Sequence, residues 1–165
     1  MTPGLNWGAT PAERKASLPC DRLCPHAGLQ ADRAISIDAS PSIVFSCLCQ
    51  LRVAPYSYDI LDNLGRRSPR ERIPELVLLE VGQRFMTMFA LHSFVDSEQI
   101  TLRSKGVAVT YAVQPEETGS RLHVRVMFGR PRFLARVLAF GDLVMMRKQL
   151  LTLKSLAEHE AAALG

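Results

Sequence analysis

The stretch from residue 56 to residue 67 concentrates side chains that could contact the polar end of a ligand. Tyrosine combines apolar ring area with one polar tip, which suits the entrance of a pocket. Arginine presents a planar fork that matches carboxylate and phosphate groups. We predict that the following residues border a ligand site, with an arginine at its rim: Tyr56, Tyr58, Asp59, Asn63, Arg66 and Arg67. Alternatively, Tyr58 and Asp59 only fasten a helix to the body, and the basic loop is a solvated connection.

General acid–base chemistry in an apolar cavity requires a titratable side chain whose pKa burial has shifted toward the working pH. Outside the 56–67 stretch, His92 and Tyr111 are the residues that could reach such an interior. A single histidine in a strand is more often a hydrogen-bonded structural residue than a base. Phosphate loops, nucleophile elbows and metal-binding helix pairs have recognisable motifs, and the sequence contains none of them. The sequence therefore leaves open whether the protein is an enzyme, and it predicts no cofactor.

The four cysteines indicate neither a disulfide nor a metal site. Cys47 and Cys49 lie two residues apart in a predicted helix and point in different directions, which disfavours a mutual disulfide. Cys20, Cys24 and His26 could supply three soft ligands, but their spacing matches no standard zinc module. We predict inert, buried thiols in the helix and no bound metal.

The composition is that of an ordinary globular protein. The chain has 165 residues, of which 47% are hydrophobic and 22% are charged, and its formal net charge is +4. This charge excess is too weak and too scattered to indicate nucleic-acid binding. No apolar run approaches the roughly 20 residues that span a bilayer, and the N-terminus lacks a signal-peptide pattern. We expect a cytoplasmic protein without integral membrane association, either a monomer or a homodimer.

The N-terminal part of the chain predicts an irregular arm. Residues 1–31 contain several prolines and glycines and show no sustained hydrophobic period. Trp7 and Leu18 are the residues that could pin this arm to the body. We therefore divide the chain into an arm at residues 1–31 and a single domain at residues 32–165.

The arm is followed by one predicted strand and two predicted short helices. Residues 33–38 alternate apolar and polar side chains, as in a strand with one buried face. The Ser40-Pro41 pair suits the start of a helix, which we expect to end near Arg52. Residues 56–65 predict the second helix, with a glycine at its C-terminal end.

The middle of the chain predicts a run of strands joined by short turns, which implies an antiparallel meander. The run 83–95 carries apolar side chains on both faces, so we expect one long strand covered on both sides. Two further strands are predicted at 99–105 and 107–114. In the strand 120–129 alternate residues face inward. Those expected to face outward are Arg121, His123 and Arg125.

The segment from Pro131 to about Leu164 predicts one long helix with a wide apolar arc. A surface helix needs a narrower stripe, so we expect most of this helix to be enclosed. Gly141 within it suggests close packing against another backbone. Three basic residues should form a ridge that meets water by default: Arg136, Arg147 and Lys154. The element order indicates an α+β fold with a curved antiparallel sheet around the C-terminal helix.

Local sequences resemble the SRPBCC or START-like superfamily, the helix-grip fold of polyketide cyclases and lipid-transfer domains. Residues 33–41 are similar to its first strand and helix start, and residues 44–51 to its first helix. Residues 56–69 resemble a bacterial subgroup of uncharacterised SRPBCC proteins. The order of elements matches over roughly residues 20–160. Phe45 and Cys47 stand where similar proteins often carry tryptophan, which could reshape the interior.

The resemblance implies a cavity between the sheet and the C-terminal helix that holds an apolar ligand. From the strand and helix patterns we expect its lining to include Phe45, Phe89, Val124, Phe128, Phe140 and Val144. The leading hypothesis is a protein that binds a hydrophobic or amphipathic small molecule, such as a lipid or polyketide. The alternatives are a cyclase or dehydratase, which would need two polar groups converging in the cavity, and an interaction module with a filled core.

Overall fold

A curved sheet of seven strands and one long C-terminal helix make up most of the molecule. The computed structural model describes residues 5–52, 77–86, 88–129 and 132–164, with the side chains of all of these except 132–143. The strands are β1 (Asn6–Trp7), β2 (Leu29–Ile37), β3 (Arg84–Phe85), β4 (Phe89–Val95), β5 (Gln99–Ser104), β6 (Val107–Glu116) and β7 (Gly119–Phe128). The helices are α1 (Pro11–Lys15), α2 (Pro19–Leu23), α3 (Pro41–Cys49) and α4 (Arg132–Leu164), and a 3₁₀ turn, Gln50–Arg52, follows α3.

The sheet order is β1-β2-β7-β6-β5-β4-β3. Strands β4 to β7 form an antiparallel meander, and β2 pairs with β7 antiparallel. Only the short pairing of β1 with β2 is parallel among the described strands. This confirms the predicted α+β class and the helix-grip arrangement of a curved sheet around the C-terminal helix. The second predicted helix, at 56–65, lies outside the described residues.

Strand β7 and helix α4 supply the centre of the core. Strand residues alternate between two faces, so one face of β7 turns toward α4. The β7 residues on this face are at most 4% exposed, and they are Leu122, Val124, Val126 and Phe128. The buried stripe of α4 has a spacing of three or four residues, as one helix face requires, and consists of Met146, Leu150, Leu153 and Ala157. This stripe lies against α3 and β2.

Helix α4 is confirmed as one element, but its buried arc is narrower than the sequence predicts. Val144 and Leu151, counted in the apolar arc, are 43% and 46% exposed. The helix packs mainly on β2 and α3, and Val144 and Leu151 lie on a side that these elements do not bury. The predicted basic ridge is also reduced, since Lys154 donates to the Ser36 carbonyl at 2.8 Å and pairs with Glu158. No helix in the described part of the chain is long and apolar enough to cross a bilayer.

The single long strand predicted at 83–95 is wrong, because the structure has a tight hairpin there. Strand β3 ends at Phe85, β4 begins at Phe89, and these two residues pair across the turn. Met86 has a φ of 47°. Its backbone N–H donates to the Leu51 carbonyl at 3.0 Å, and the Met88 N–H donates to the Met86 carbonyl at 2.7 Å. A turn without glycine or proline leaves the alternating pattern intact, so periodicity cannot distinguish it from a continuous strand.

The N-terminal arm contains regular structure where irregular chain was expected. It forms β1, α1 and α2, and β2 begins at Leu29. Helix α1 has a capping box, in which Thr10 and Glu13 each bond the other's backbone N–H. Helices of five residues are too short for a hydrophobic period to reveal them. Trp7 packs against the main core, and Leu18 packs against a second cluster on the outer face of the sheet, so both contact the body as predicted.

Helix α3 begins at Pro41, as the sequence predicts. Ser40 occupies the N-cap position, but its side chain makes no capping hydrogen bond. The Ser40 hydroxyl instead lies 3.0 Å from the Ser42 hydroxyl. The backbone geometry and the proline therefore define this helix start without the serine cap.

Candidate functional site

A buried polar pair bridges the sheet and α4. Strand β6 places Tyr111 between Ile100 of β5 and Val124 of β7, so its ring is 0% exposed on the face that α4 covers. The Tyr111 hydroxyl donates to Gln149 Oε1 at 2.8 Å. Gln149 lies on α4 and is 3% exposed. The pair forms a polar link between the sheet and α4, the two layers between which a helix-grip fold would hold a ligand.

Two methionines flank this pair. Gln149 Nε2 donates to Met86 Sδ at 3.3 Å, and the Tyr111 hydroxyl lies 3.9 Å from Met146 Sδ. Methionine has three rotatable bonds and a polarizable sulfur, so it repacks around differently shaped neighbours at little cost. The positive φ of Met86 is uncommon for a residue other than glycine. Strained backbone of this kind often occurs beside binding sites.

A buried arginine lies on the same face of the sheet. Arg33 on β2 is 0% exposed and pairs with Val124, the residue that also pairs with Tyr111. Two strand spacings therefore separate Arg33 from Tyr111, about 10 Å at the usual distance between strands. The Arg33 guanidinium donates through Nη1 to the carbonyls of Leu5 and Asp32 at 3.1 and 3.0 Å. This places a positive charge under the helix-covered surface.

The predicted lining residues fall into distinct groups. Phe45, Val124 and Phe128 are buried in the core, and Phe89 is half-buried and packs against it. Tyr111 is also buried on this side of the sheet. His92 is exposed on β4, and Val144 is 43% exposed on α4, so neither belongs to this interior. The side chain of Phe140 and the residues Tyr56, Tyr58, Asp59, Asn63, Arg66 and Arg67 lie outside the described part of the chain.

Sequence reasoning missed Gln149 and Arg33. Gln149 follows Met146 by three residues and sits beside the buried stripe of α4, where a polar residue is unusual. Arg33 shares a strand face with Ile35 and Ile37 because they are two and four residues away. Both signals are present in the sequence, as polar residues on apolar faces.

The outer face of the sheet carries a buried charge cluster where solvent-facing residues were predicted. His123 and Arg125 are 6% and 2% exposed, because α1 and α2 cover this face. Asp32 is at the centre of the cluster. Its Oδ1 accepts from His123 Nε2 and from Arg125 Nε, both at 2.9 Å. His123 and Arg125 do lie on the outer face of β7, as predicted. The expectation that solvent contacts them is wrong, because the arm buries them.

Arg121 and Arg125 tie the two short helices to the sheet. Arg125 Nη1 pairs with Asp21 of α2 at 2.9 Å and donates to the Ala16 carbonyl at 2.6 Å. Arg121 Nε pairs with Glu13 of α1 at 2.7 Å. These contacts attach the arm to the sheet at several points.

The carboxylates of this cluster have lowered pKa values. The Arg121 hydrogen bond is the main cause that lowers the pKa of Glu13 from 4.5 to about 2. Burial alone would raise the pKa of Asp32, but hydrogen bonds from His123, Gln30 and Arg125 together outweigh it and lower that pKa. Both groups therefore stay ionised well below neutral pH, and the cluster keeps its charge.

Acidification should weaken the docking of the arm. A carboxyl group with a lowered pKa in the folded state stabilises it above the unfolded-state pKa, and this contribution is lost as the pH falls through the folded-state pKa. For Glu13 the window runs from 4.5 down to about 2. The melting temperature, followed by circular dichroism, should fall over this window, and Glu13→Gln should flatten the fall. Identical pH profiles for the two proteins would contradict the assignment.

The cysteines are free thiols. Cys20 lies on α2 against the outer face of the sheet, 3.8 Å from the Arg125 carbonyl, and burial raises the pKa of its thiol to about 11. Burial also raises the pKa of Cys49 to about 12. Such thiols react slowly, because the thiolate is the nucleophile. Within the described ranges, no group of three His, Cys, Asp or Glu side chains is placed to hold a metal ion.

Comparisons with known proteins support the fold. No family model and no curated protein matches the sequence. A Rhodobacter sphaeroides protein has a TM-score of 0.56 at 15% identity, over 86% of this chain and 97% of that chain. Protein NE0264 from Nitrosomonas europaea has a TM-score of 0.54 at 11% identity, over 81% and 96% of the two chains. Protein SSP2350 from Staphylococcus saprophyticus has a TM-score of 0.54 at 15% identity, over 81% and 94%. At these identities the likeness shows a shared fold alone: the chain has a helix-grip fold.

Proposed function

We propose that the protein binds a hydrophobic or amphipathic small molecule between the curved sheet and α4. The observation that carries this proposal is the buried Tyr111–Gln149 hydrogen bond across these two layers. A buried hydroxyl and amide cost free energy unless they are hydrogen-bonded, and they add little stability that an apolar pair would not supply. A pair of this kind is useful where a ligand with one polar group enters an apolar site, because it orients that group.

The chemistry of the pair defines the end of the ligand that it would contact. A phenol hydroxyl can donate or accept a hydrogen bond, and an amide offers both a donor and an acceptor. Neither group carries a charge that would compensate a buried carboxylate. The ligand that fits is therefore apolar, with a neutral carbonyl or hydroxyl group at the inner end. Met86 and Met146 would repack around it.

The resemblance to the SRPBCC superfamily supports this site, since its members commonly hold an apolar ligand between sheet and helix. We further propose that Tyr58, Asp59 and Asn63 border the ligand, with Arg66 or Arg67 at the rim. An amphipathic ligand would then have its charged end near the arginines and its tail in the interior. A fluorescent fatty acid should lose affinity in an Arg66→Ala/Arg67→Ala variant, whereas its neutral alcohol analogue should not.

A cyclase or dehydratase is the alternative function. It requires a proton acceptor beside the polar pair. Of the candidates, His92 is exposed on β4, and Asp59 lies outside the described residues. Tyr111 and Gln149 do satisfy the condition that two polar groups converge inside the fold. They are suited to orient a carbonyl, which binding and catalysis both need. We therefore propose ligand binding as the function and keep the cyclase or dehydratase as its alternative.

The inner polar pair should determine affinity for a neutral, carbonyl-bearing hydrophobe. Nile red is such a probe, and its fluorescence rises in an apolar site. Gln149→Leu should weaken its binding by roughly tenfold, because it removes one of the two polar groups that would hydrogen-bond to the probe's carbonyl. The control is Gln114→Leu on β6, which changes an exposed glutamine and should leave the affinity unchanged.

Native mass spectrometry of the purified protein, followed by denaturing extraction, provides an independent test. A co-purified apolar molecule, or saturable dye uptake that depends on Gln149, would support the proposal. If the protein retains no small molecule and takes up no dye, the interior is a filled core. The interaction-module hypothesis would then replace ligand binding.

A further inference from the structure

A groove separate from the interior runs between β1 and α4. It has a volume of about 570 Å³, which is within the range of small-molecule sites. Trp7 forms one wall, and a face of α4 forms the other, with Val144, Arg147, Lys148, Leu151, Thr152 and Ser155. These helix residues recur with a spacing of three or four, so they share one side of α4. None of them belongs to the buried stripe, which lies on a different side of the helix.

The apolar part of the groove accounts for exposed side chains that the fold itself does not use. Val144 and Leu151 are 43% and 46% exposed, although the sequence pattern predicts them to be enclosed. Trp7 packs partly against the core and presents its remaining surface to the groove. An apolar chain laid on these three residues would cover surface that water otherwise contacts, which is favourable in proportion to the area covered.

The charged part of the groove is positive. The Arg147 guanidinium lies over the Trp7 ring, 5.8 Å from its centroid, a cation–π distance. Lys148 adds a second cation, and the described lining residues include no acid. This contact keeps the Arg147 guanidinium beside the apolar wall that Trp7 forms. Its N–H groups lie in the plane of the guanidinium, where an anionic group could accept from them.

We propose that this groove binds one molecule of an anionic amphiphile, with its head at Arg147 and Lys148 and its chain along Trp7, Val144 and Leu151. The occupant is a free, monomeric amphiphile of the fatty-acid type, because a concave groove between two elements encloses a single chain better than it fits a flat bilayer. This second site is independent of the proposed interior site, which contacts a neutral polar group through Tyr111 and Gln149.

Trp7 provides the readout, since it is the single tryptophan in the chain. Laurate, titrated below its micelle concentration, should change Trp7 emission saturably. Dodecanol, which has the same chain without the charge, should bind roughly tenfold more weakly, as expected for loss of a charge-assisted hydrogen bond. The paired substitution Arg147→Gln/Lys148→Gln should bring the laurate affinity down to that of dodecanol.

Two control variants separate this groove from general charge effects and from the interior. Lys15→Gln removes an exposed cation from α1 and should leave laurate binding unchanged. Gln149→Leu alters the interior pair and should also leave the Trp7 response unchanged. Leu151→Asp places a negative charge in the groove at an exposed position and should abolish the response.

Equal affinities for laurate and dodecanol in the wild-type protein would overturn the proposal. So would a laurate response that survives in both Arg147→Gln/Lys148→Gln and Leu151→Asp. A Trp7 response to anionic phosphatidylglycerol vesicles without any response to monomeric laurate would assign the groove to a membrane surface instead. Circular dichroism of each variant verifies that the fold is intact.

Discussion

Replacing Asp32 with asparagine should lower the free energy of unfolding by about 3–5 kcal/mol, the cost expected when one partner of a buried ion pair is removed. The Asp32 side chain is 3% exposed and accepts hydrogen bonds from His123, Arg125 and Gln30. The asparagine keeps the shape but loses the charge that balances Arg125 under the arm. Urea denaturation followed by circular dichroism measures the loss.

Asp38→Asn is the matched control for Asp32→Asn. It makes the same chemical change directly after β2, at an exposed residue, and should change stability by less than about 0.5 kcal/mol. Limited proteolysis adds a local readout, because loss of the cluster should expose the arm to cleavage before the sheet unfolds. If Asp32→Asn and Asp38→Asn had equal stability, the cluster would not hold the arm in place.

Truncation of the buried Leu150 should destabilise the protein much more than truncation of its exposed neighbour on α4. Leu150 is 0% exposed and packs in the main core, so Leu150→Ala should cost about 2–5 kcal/mol. The adjacent residue provides the control, because Leu151 is 46% exposed in the groove. Leu151→Ala should cost well under half as much. Thermal and urea unfolding of the two variants measure the difference.

Similar costs for the Leu150 and Leu151 variants would contradict the orientation of α4. The comparison also tests the groove. In the presence of laurate, Leu151→Ala should show less stabilisation than the wild-type protein, since a ligand stabilises only the state that binds it. Leu150→Ala should keep the laurate effect, although its starting stability is lower.

Elements with a long, consistent pattern could be predicted from the sequence. The alternation in β7 and the helical spacing in α4 are both sustained enough to define an element and its buried face. The start of α3 at Pro41 was predictable because proline suits the first turn of a helix. The fold class follows from the order of these elements.

The hairpin at Met86 and the helices of the arm could not be predicted in this way. The hairpin turn uses a methionine with positive φ, held by the Leu51 carbonyl, a contact distant in sequence. The short helices α1 and α2 depend on capping and on salt bridges to Arg121 and Arg125. These contact partners lie far away in the sequence. Local sequence patterns therefore predicted neither the hairpin nor the two short helices.

In the candidate site too, some residues could be predicted from the sequence and others could not. Tyr111 could be predicted, because its place in an alternating strand marks it as inward-facing. Its partner Gln149 could not, since only the register of α4 against β6 brings the amide within 2.8 Å of the hydroxyl. His92 and Val144 were predicted to lie at the site, but His92 is exposed at a register irregularity in β4, and the orientation of α4 places Val144 on the surface.

The sequence by itself determined the α+β class, the single C-terminal helix and the inward face of β7, because each depends on a repeating pattern of apolar residues along the chain. Only the tertiary structure decided that the arm covers His123 and Arg125, and that Trp7 meets Arg147 beside α4. The physical reason is that the exposure of a side chain depends both on the face where it lies and on the segment that packs against that face. A residue's own sequence neighbourhood sets the face on which it lies, but a remote segment determines whether that face meets water.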